Sequence, residues 1–478
     1  MTSRPNILLI YTDQQRYDTI AALGNSQIHT PNLDRMVQEG VAFTHATTPS
    51  PVCMPARWSL QSGQWPSTHR CYSNHHLGSR PQTDIPNMLR DAGYVTGLAG
   101  KNHTFLGPDD FEFWTEAPVP TDHPDWPEVV EWSKLRRERF PRLAEEPVPG
   151  HVEATAEHAT TNAALAFVKT AMDSDKPFFL LLSYLYPHPP FEAPEPFHSM
   201  YRNLPLPEAM IEPNGLENAK KPFRQQFKQR NDRAFLDISP GFVRRLREVY
   251  YGMVSLVDQE IGRILAFLDK NELTENTLLI FTSDHGDYLG DHGMITKSPA
   301  MYDCLVRIPF IVRWPGHCDE NRLDQRFVSH IDFMPTFAEV AGTECPEQAQ
   351  GKSFLSILND QGDGELIRNA AYSEYGVPGT PYTQSSLEAE GLHNKRYANP
   401  YNPNLPWEGN PVSLAGRFYM IRTHNWKFVE EPGGTSELYD LVADPYEMKN
   451  LCGQPEFQKI EEELAAQLEE WKTSLNSH

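Results

Sequence analysis

The sequence predicts an α/β chain: a large, mostly parallel mixed sheet sandwiched by helices, then a smaller C-terminal antiparallel sheet carrying one helix. Three short apolar runs, 6–12, 177–186 and 277–282, predict the large sheet. They lack the alternation of a half-exposed strand and read as strands buried on both faces. Each ends abruptly in polar, reactive residue types: Asp13, then Pro187-His188, then Ser283-Asp284-His285-Gly286. Ligands of open α/β sheets sit outside the carboxyl ends of the strands, so these three ends would line one site. After about Gly351 the chain changes to short strand-like pieces and a terminal helix, which predicts the second unit. The expected domains are 1–360 and 361–478.

The intervening segments supply helices. Residues 31–40 place Leu33, Met36 and Val37 on one face and end at a glycine cap. Residues 84–93 repeat that form with Ile85, Met88 and Leu89. From Phe242 to Leu268, apolar residues keep helical spacing through Val249, Met253, Val257, Ile261 and Ile264. This long helix precedes the third strand, as a parallel crossover requires. Between Glu195 and Ser239 the pattern dissolves into Pro- and charge-rich sequence, read as a solvated excursion in preference to a substrate-binding lid. Short strands are expected at 371–374, 418–422, 426–429 and 437–441. A terminal helix from Pro455 to Leu475 would bury Phe457, Ile460, Leu464, Leu468 and Trp471.

Composition narrows the function. Of 478 residues, 42 are Lys or Arg and 64 Asp or Glu, a formal charge of −22. Such a surface repels phosphate backbones and anionic lipid, so neither nucleic acid nor membrane is an expected partner. An anionic substrate would need a local cluster of positive charge. Apolar residues at 39% are sufficient for a large core. The N-terminus lacks the pattern of a secretory signal, and no apolar stretch reaches the ~20 residues of a membrane span. The six cysteines show no Cys-x-x-Cys pair, which suits a reduced, cytoplasmic protein.

The sharpest local signal is Cys53-Met-Pro55-Ala-Arg57. Its cysteine could be a thiol of lowered pKa at a helix N-terminus, or a buried structural residue. A third reading is the Cys-x-Pro-x-Arg tag for enzymatic conversion of cysteine to formylglycine. Here the sequence resembles the type I sulfatases of the alkaline-phosphatase-like superfamily. The resemblance runs along nearly the whole chain, in order. It includes Arg4 to Asp13, Thr30 to Asp34, the Cys53 tag, Gly93-Tyr-Val-Thr-Gly97 with Gly100-Lys101-Asn-His103, and Phe281 to Gly286. It ends with Glu437-Leu-Tyr-Asp-Leu441, Asp444-Pro445 and Asn450-Leu451. Six such matches in order are hard to obtain by chance.

The resemblance implies an enzyme that hydrolyses a small sulfate monoester, such as a sulfated sugar or an aryl or alkyl sulfate. The formylglycine at position 53 would hydrate to a gem-diol, one hydroxyl of which attacks sulfur. Asp13, Gln14, Asp284, His285 and the diol at Cys53 would hold one divalent cation, with Ca²⁺ favoured and Mn²⁺ or Mg²⁺ compatible. Gln14 and His285 stand where relatives often carry Asp and Asn. Arg57, Lys101 and Lys297 would face the charge that develops on sulfate oxygens. His103 would be the base that breaks down the sulfo-intermediate, and His188 a proton donor or hydrogen bond to the leaving oxygen. Asn74 matches a substrate-contacting position. A formylglycine-generating enzyme would be a transient partner, and a homo-oligomer is left open.

Two rival readings remain. Phosphonate monoester or phosphodiester hydrolases share the tag, and Gln14 and His285 resemble that branch as well as choline sulfatases. Lys101 and His103 argue for sulfate. The other rival is an inactive binding homologue, although every expected position holds a competent residue type. The alcohol part of the substrate is not legible. Specificity is expected in loops 102–125, 189–233 and 375–404, whose aromatics (Tyr375, Tyr382, Tyr397, Tyr401, with Trp407 nearby) read first as packing residues.

Overall fold

The structure, a computed structural model, describes residues 4–116, 128–129, 131–132, 142–359, 367–392, 395–399, 402–407, 409–431 and 433–475. Tyr401 and the 117–125 part of the expected specificity loops lie outside the described residues. The expected α/β class and both sheets are present. The large sheet comprises β1 (Asn6–Thr12), β2 (Val41–Phe43), β3 (Val95–Gly100), β4 (Phe113–Thr115), β5 (Phe178–Ser183), β6 (Thr277–Ser283), β7 (Phe310–Arg313) and β8 (Arg322–Asp324). Their order is β4-β3-β5-β1-β6-β7-β2-β8, and every pairing is parallel except those made by β7.

The central strand explains why its sequence does not alternate. Leu8 and Ile10 join one core cluster, with α1 (Pro31–Gln38), the helix Ala156–Ala171 and the long helix Pro240–Lys270. Ile7, Leu9 and Tyr11 join the opposite cluster, with the helices Ile85–Asp91 and Phe333–Ala341. Both faces of β1 are therefore dry, and an apolar residue suits every position. Register completes the placement. Ile7 pairs with Phe179 of β5 on one side and Leu278 of β6 on the other. The three strands thus end together, setting Asp13, Ser183 and Asp284 side by side.

The second sheet has the order β14-β13-β12-β9, from β9 (Ala371–Tyr375), β12 (Phe418–Arg422), β13 (Trp426–Glu430) and β14 (Glu437–Asp440), all antiparallel. A separate two-stranded piece pairs β10 (Ala398–Asn399) with β11 (Asn402–Pro406). The terminal helix Gln458–Leu475 buries Leu464, Leu468 and Leu475, while Phe457, Ile460 and Trp471 are only partly covered. No helix among the described residues is long and apolar enough to cross a membrane.

Two expectations are corrected. The second apolar run stops being a strand at Ser183, because Tyr184 to Tyr186 leave the ladder in a turn. The excursion 195–239 is not a solvated loop. It forms a helix, Phe223–Phe235, whose Arg224, Lys228 and Asp232 are buried. Lys221 is also buried, its ammonium over the rings of Tyr302 and Tyr439 at 4.7 and 4.4 Å. The charges that suggested solvent are used internally. Arg224 pairs with Glu431 at 2.6 Å and Lys228 with Asp232 at 2.8 Å.

Candidate active site

Cys53 is the first residue of the catalytic-face helix, α2 (Cys53–Ser62), every residue of which is buried. Pro55 near its start costs no hydrogen bond, since the first N–H groups of a helix lack intrahelical acceptors. The thiol sulfur lies 3.2 Å from His285 Nε2 and 3.7 Å from Asp13 Oδ1. Potential ligand atoms of Asp13, Cys53, Asp284 and His285 all fall within 4.8 Å of one another, and all four residues are buried.

One turn along α2, Arg57 ties the two acidic strand ends together. Its Nε donates to Asp284 Oδ2 at 2.9 Å, and its terminal nitrogens donate to Asp13 Oδ2 at 3.0 Å and Ser183 Oγ at 2.9 Å. The guanidinium also lies over the Tyr11 ring at 4.8 Å. The other oxygen of Asp284 accepts the backbone N–H groups of Gln14 and His285, each at 2.9 Å. Gln14 adopts a left-handed φ of 70°, a strained conformation for a residue with a side chain. It is held there by that bond and by Lys297, whose Nζ donates to its Oε1 at 2.7 Å. Its amide donates to Asp287.

β3 delivers the next cation. Gly100 has φ +102°, and a Cβ there would stand 2.0 Å from the Ser183 carbonyl oxygen. Only glycine lets this strand end close enough for Lys101 N–H to donate to that carbonyl at 2.8 Å. The Lys101 ammonium then pairs with Asp13. His103 and His188 complete the mouth, each half-buried. His188 Nδ1 sits 2.7 Å from the Pro189 carbonyl, so that nitrogen carries the proton and Nε2 is free to accept. Asn74 takes the Met54 backbone N–H on its Oδ1 at 2.9 Å, and its amide lies 3.9 Å from the Cys53 sulfur. Every sequence-expected site residue thus lies at this strand-end cluster.

The electrostatics follow from burial and cations. Burial works to raise the Asp13 carboxyl, but Lys101, His188, Arg57 and Lys297 hold it well below its usual range. Burial and the neighbouring Asp13 push Asp284 up to about 6. Two carboxylates this close resist full ionisation unless a further positive charge joins them. Burial and Asp13 disfavour an anion at Cys53, yet Lys297, Lys101 and His285 outweigh them and lower its thiol well below the ordinary value. Burial lowers His103, and burial with Lys297 lowers His188 to about 3, so both imidazoles are neutral near pH 7.

Some residues of this centre escaped the sequence reading. Ser183 and Asp287 orient Arg57 and Gln14. His330 sits behind β6, its Nε2 on the Ser283 carbonyl at 3.0 Å. Ser183 had a usable signal, as the polar residue that ends an apolar run. His330 had none, because it comes from a distant segment.

With this geometry in place, similarity to known proteins can be weighed. The family model described as Sulfatase matches residues 5–343, most of the chain. The chain belongs to the sulfatase family. A second model, N-sulphoglucosamine sulphohydrolase C-terminal, matches residues 290–399 and 406–474. The multifunctional alkaline phosphatase superfamily protein PehA of Trinickia caryophylli is 28% identical, over 99% of this chain and 96% of its own. The choline-sulfatase of Rhizobium meliloti is 28% identical, over 95% of this chain and 83% of its own. Among solved structures, the phosphonate monoester hydrolase of Agrobacterium radiobacter superposes with a TM-score of 0.79 at 25% identity, covering 99% and 96% of the two chains. This sulfatase-family chain is therefore a hydrolase with the alkaline-phosphatase-like architecture.

Proposed function

We propose that the chain hydrolyses a small-molecule sulfate monoester, a sulfated sugar or an aryl or alkyl sulfate, releasing alcohol and sulfate. The observation that carries the reading is the buried meeting of Asp13, Cys53, Asp284 and His285 beneath Arg57, Lys101 and Lys297. An unmodified thiol is a poor use of that position, because the donors around it suit a hard cation and an oxygen nucleophile. The proposal therefore includes maturation of Cys53 to formylglycine by a formylglycine-generating enzyme.

The donor set fits one divalent cation. Two buried carboxylates, one imidazole and the Gln14 carbonyl would hold it with the oxygen at position 53, and oxygen-rich donors favour Ca²⁺ while allowing Mn²⁺ or Mg²⁺. When bound, the cation and the hydrated aldehyde would supply Lewis acidity and the nucleophile. The chain's own groups do the rest. Arg57 fixes both carboxylates and stands beside position 53. Lys101 and Lys297 place positive charge where sulfate oxygens must lie. His103, neutral and hydrogen-bonded to position 53, can accept a proton from it. His188, with Nε2 free, receives or returns a proton at the leaving oxygen.

The notebook of features also supports a second reading, phosphonate monoester or phosphodiester hydrolysis, through Gln14 and His285 and the likeness to a phosphonate monoester hydrolase. Side-by-side kinetics of the matured enzyme on matched aryl sulfates and aryl phosphonate monoesters separate the two. We expect the higher kcat/KM on sulfate; the reverse order would sink the sulfate reading. Mass spectrometry of the Cys53 peptide from the native host tests maturation. The proposed division at 360/361 lies within a segment outside the described residues. Six free thiols support a cytoplasmic site of action.

A further inference from the structure

We infer that the loop 71–78 and Trp407 form a subsite that binds the alcohol part of the substrate when that alcohol is a flat ring, aryl or pyranosyl. This rests on the hydrolase reading above and deepens it by naming a substrate class. Asn74 fixes the place of the subsite, since it touches both Met54 N–H and the Cys53 sulfur. The next residue, His75, is exposed, and its ring meets the Trp407 indole edge-on at 5.9 Å between centroids. An aromatic pair therefore stands directly beside the nucleophile's position.

The pair is built into the fold. A Cβ on Gly409 would lie 2.2 Å from His75 Cδ2 and 2.8 Å from Trp407 Nε1, so the chain beyond Trp407 closes on both rings only because that residue is glycine. Trp407 N–H donates to the Tyr397 carbonyl at 2.7 Å, and its ring packs on the cluster of Phe227, Leu387, Tyr397 and Val412. Phe227 belongs to the excursion helix, so that helix and the C-terminal segment together seat the tryptophan. Trp407 nevertheless stays partly exposed.

The chemistry of the rim selects the ligand. Residues 71–83 contain no carboxylate in a chain of net charge −22, so a sulfate ester is not repelled there. Tyr72 is braced under Arg417 at 4.7 Å, and Leu77 is 76% exposed. Apolar and aromatic surface with little opposing charge favours a ring that presents a C–H or π face, over a small acyclic alcohol.

The test measures binding of phenyl sulfate, glucosamine 6-sulfate and methyl sulfate by calorimetry, using calcium-loaded protein with an unmodified Cys53. Trp407→Ala should weaken a ring-bearing ligand roughly three- to tenfold and methyl sulfate less than twofold. Trp407→Phe should restore most of the loss, and His75→Ala should reproduce part of it. Loss confined to phenyl sulfate assigns an aryl ring; loss confined to the sugar assigns a pyranose. Equal losses for all three ligands, or unchanged ring binding in a variant of intact melting temperature, would overturn the subsite. If the matured wild type cleaved phosphonate but not sulfate esters, the reaction assignment would fall, while phenyl and methyl phosphonate esters would still test the subsite by the same ratio.

Discussion

Arg57 acts at two distances from the chemistry at once. It joins the carboxylates of β1 and β6 and also reaches Ser183 on β5. A lysine would keep the charge and lose the fork, leaving at least one carboxylate oxygen without its donor. We expect Arg57→Lys to lower kcat/KM about a hundredfold, checked by steady-state kinetics of matured protein with equal metal content. His69 carries a pH prediction. It is buried between Ser59 Oγ, 3.0 Å from its Nε2, and the Cys71 N–H on Nδ1, and burial lowers it to about 3. Unfolded, its value is near 6.5, so between about pH 6.5 and 3 the unfolded chain binds the extra proton. Its stabilising contribution is complete above that window and is lost as pH falls through it. Urea denaturation of His69→Gln should show a shallower loss of stability between pH 6.5 and 4 than wild type.

The elements that dock the small sheet on the large domain converge on Asp303, at the start of the short helix Asp303–Val306. Its two oxygens accept Arg422 of β12 at 2.9 and 2.8 Å, and Lys427 of β13 lies 2.7 Å away. Burial opposes the charge, yet Arg422 and Lys427 keep this carboxyl well below its usual range. Removing the charge leaves two cations buried without their full complement, which costs about 3–5 kcal/mol when one partner of a buried pair is lost. Asp303→Asn should lower the denaturation midpoint by a matching amount and speed hydrogen exchange in 418–430 before the large sheet. The sequence offered this contact no pattern, because Asp303 and Arg422 are far apart along the chain. The excursion helix misled for the same reason. Arg224 and Lys228 look solvated until Glu431 and Asp232 are placed beside them.

At the scale of the molecule, folding gathers two carboxylates from residues 271 positions apart into a buried centre of an acidic protein. Coulomb repulsion there is relieved only in part by Arg57, Lys101 and Lys297, so a bound dication should stabilise the native state by mass action. Chelation should therefore lower the melting temperature by several degrees as well as abolish turnover, and added Ca²⁺ should restore both, read by calorimetry and ester hydrolysis. The order of residues along the chain was enough for the three buried strands, the reactive types at their ends and the tagged cysteine, because periodicity and short motifs are local properties. Distance along the chain hides everything else. That Gly100 lets Lys101 reach Asp13, that Ser183 and His330 brace the centre, and that Trp407 meets His75 all depend on strand register and on how the second sheet docks. Those contacts arise from packing between segments far apart in the chain, and packing has no one-dimensional signature.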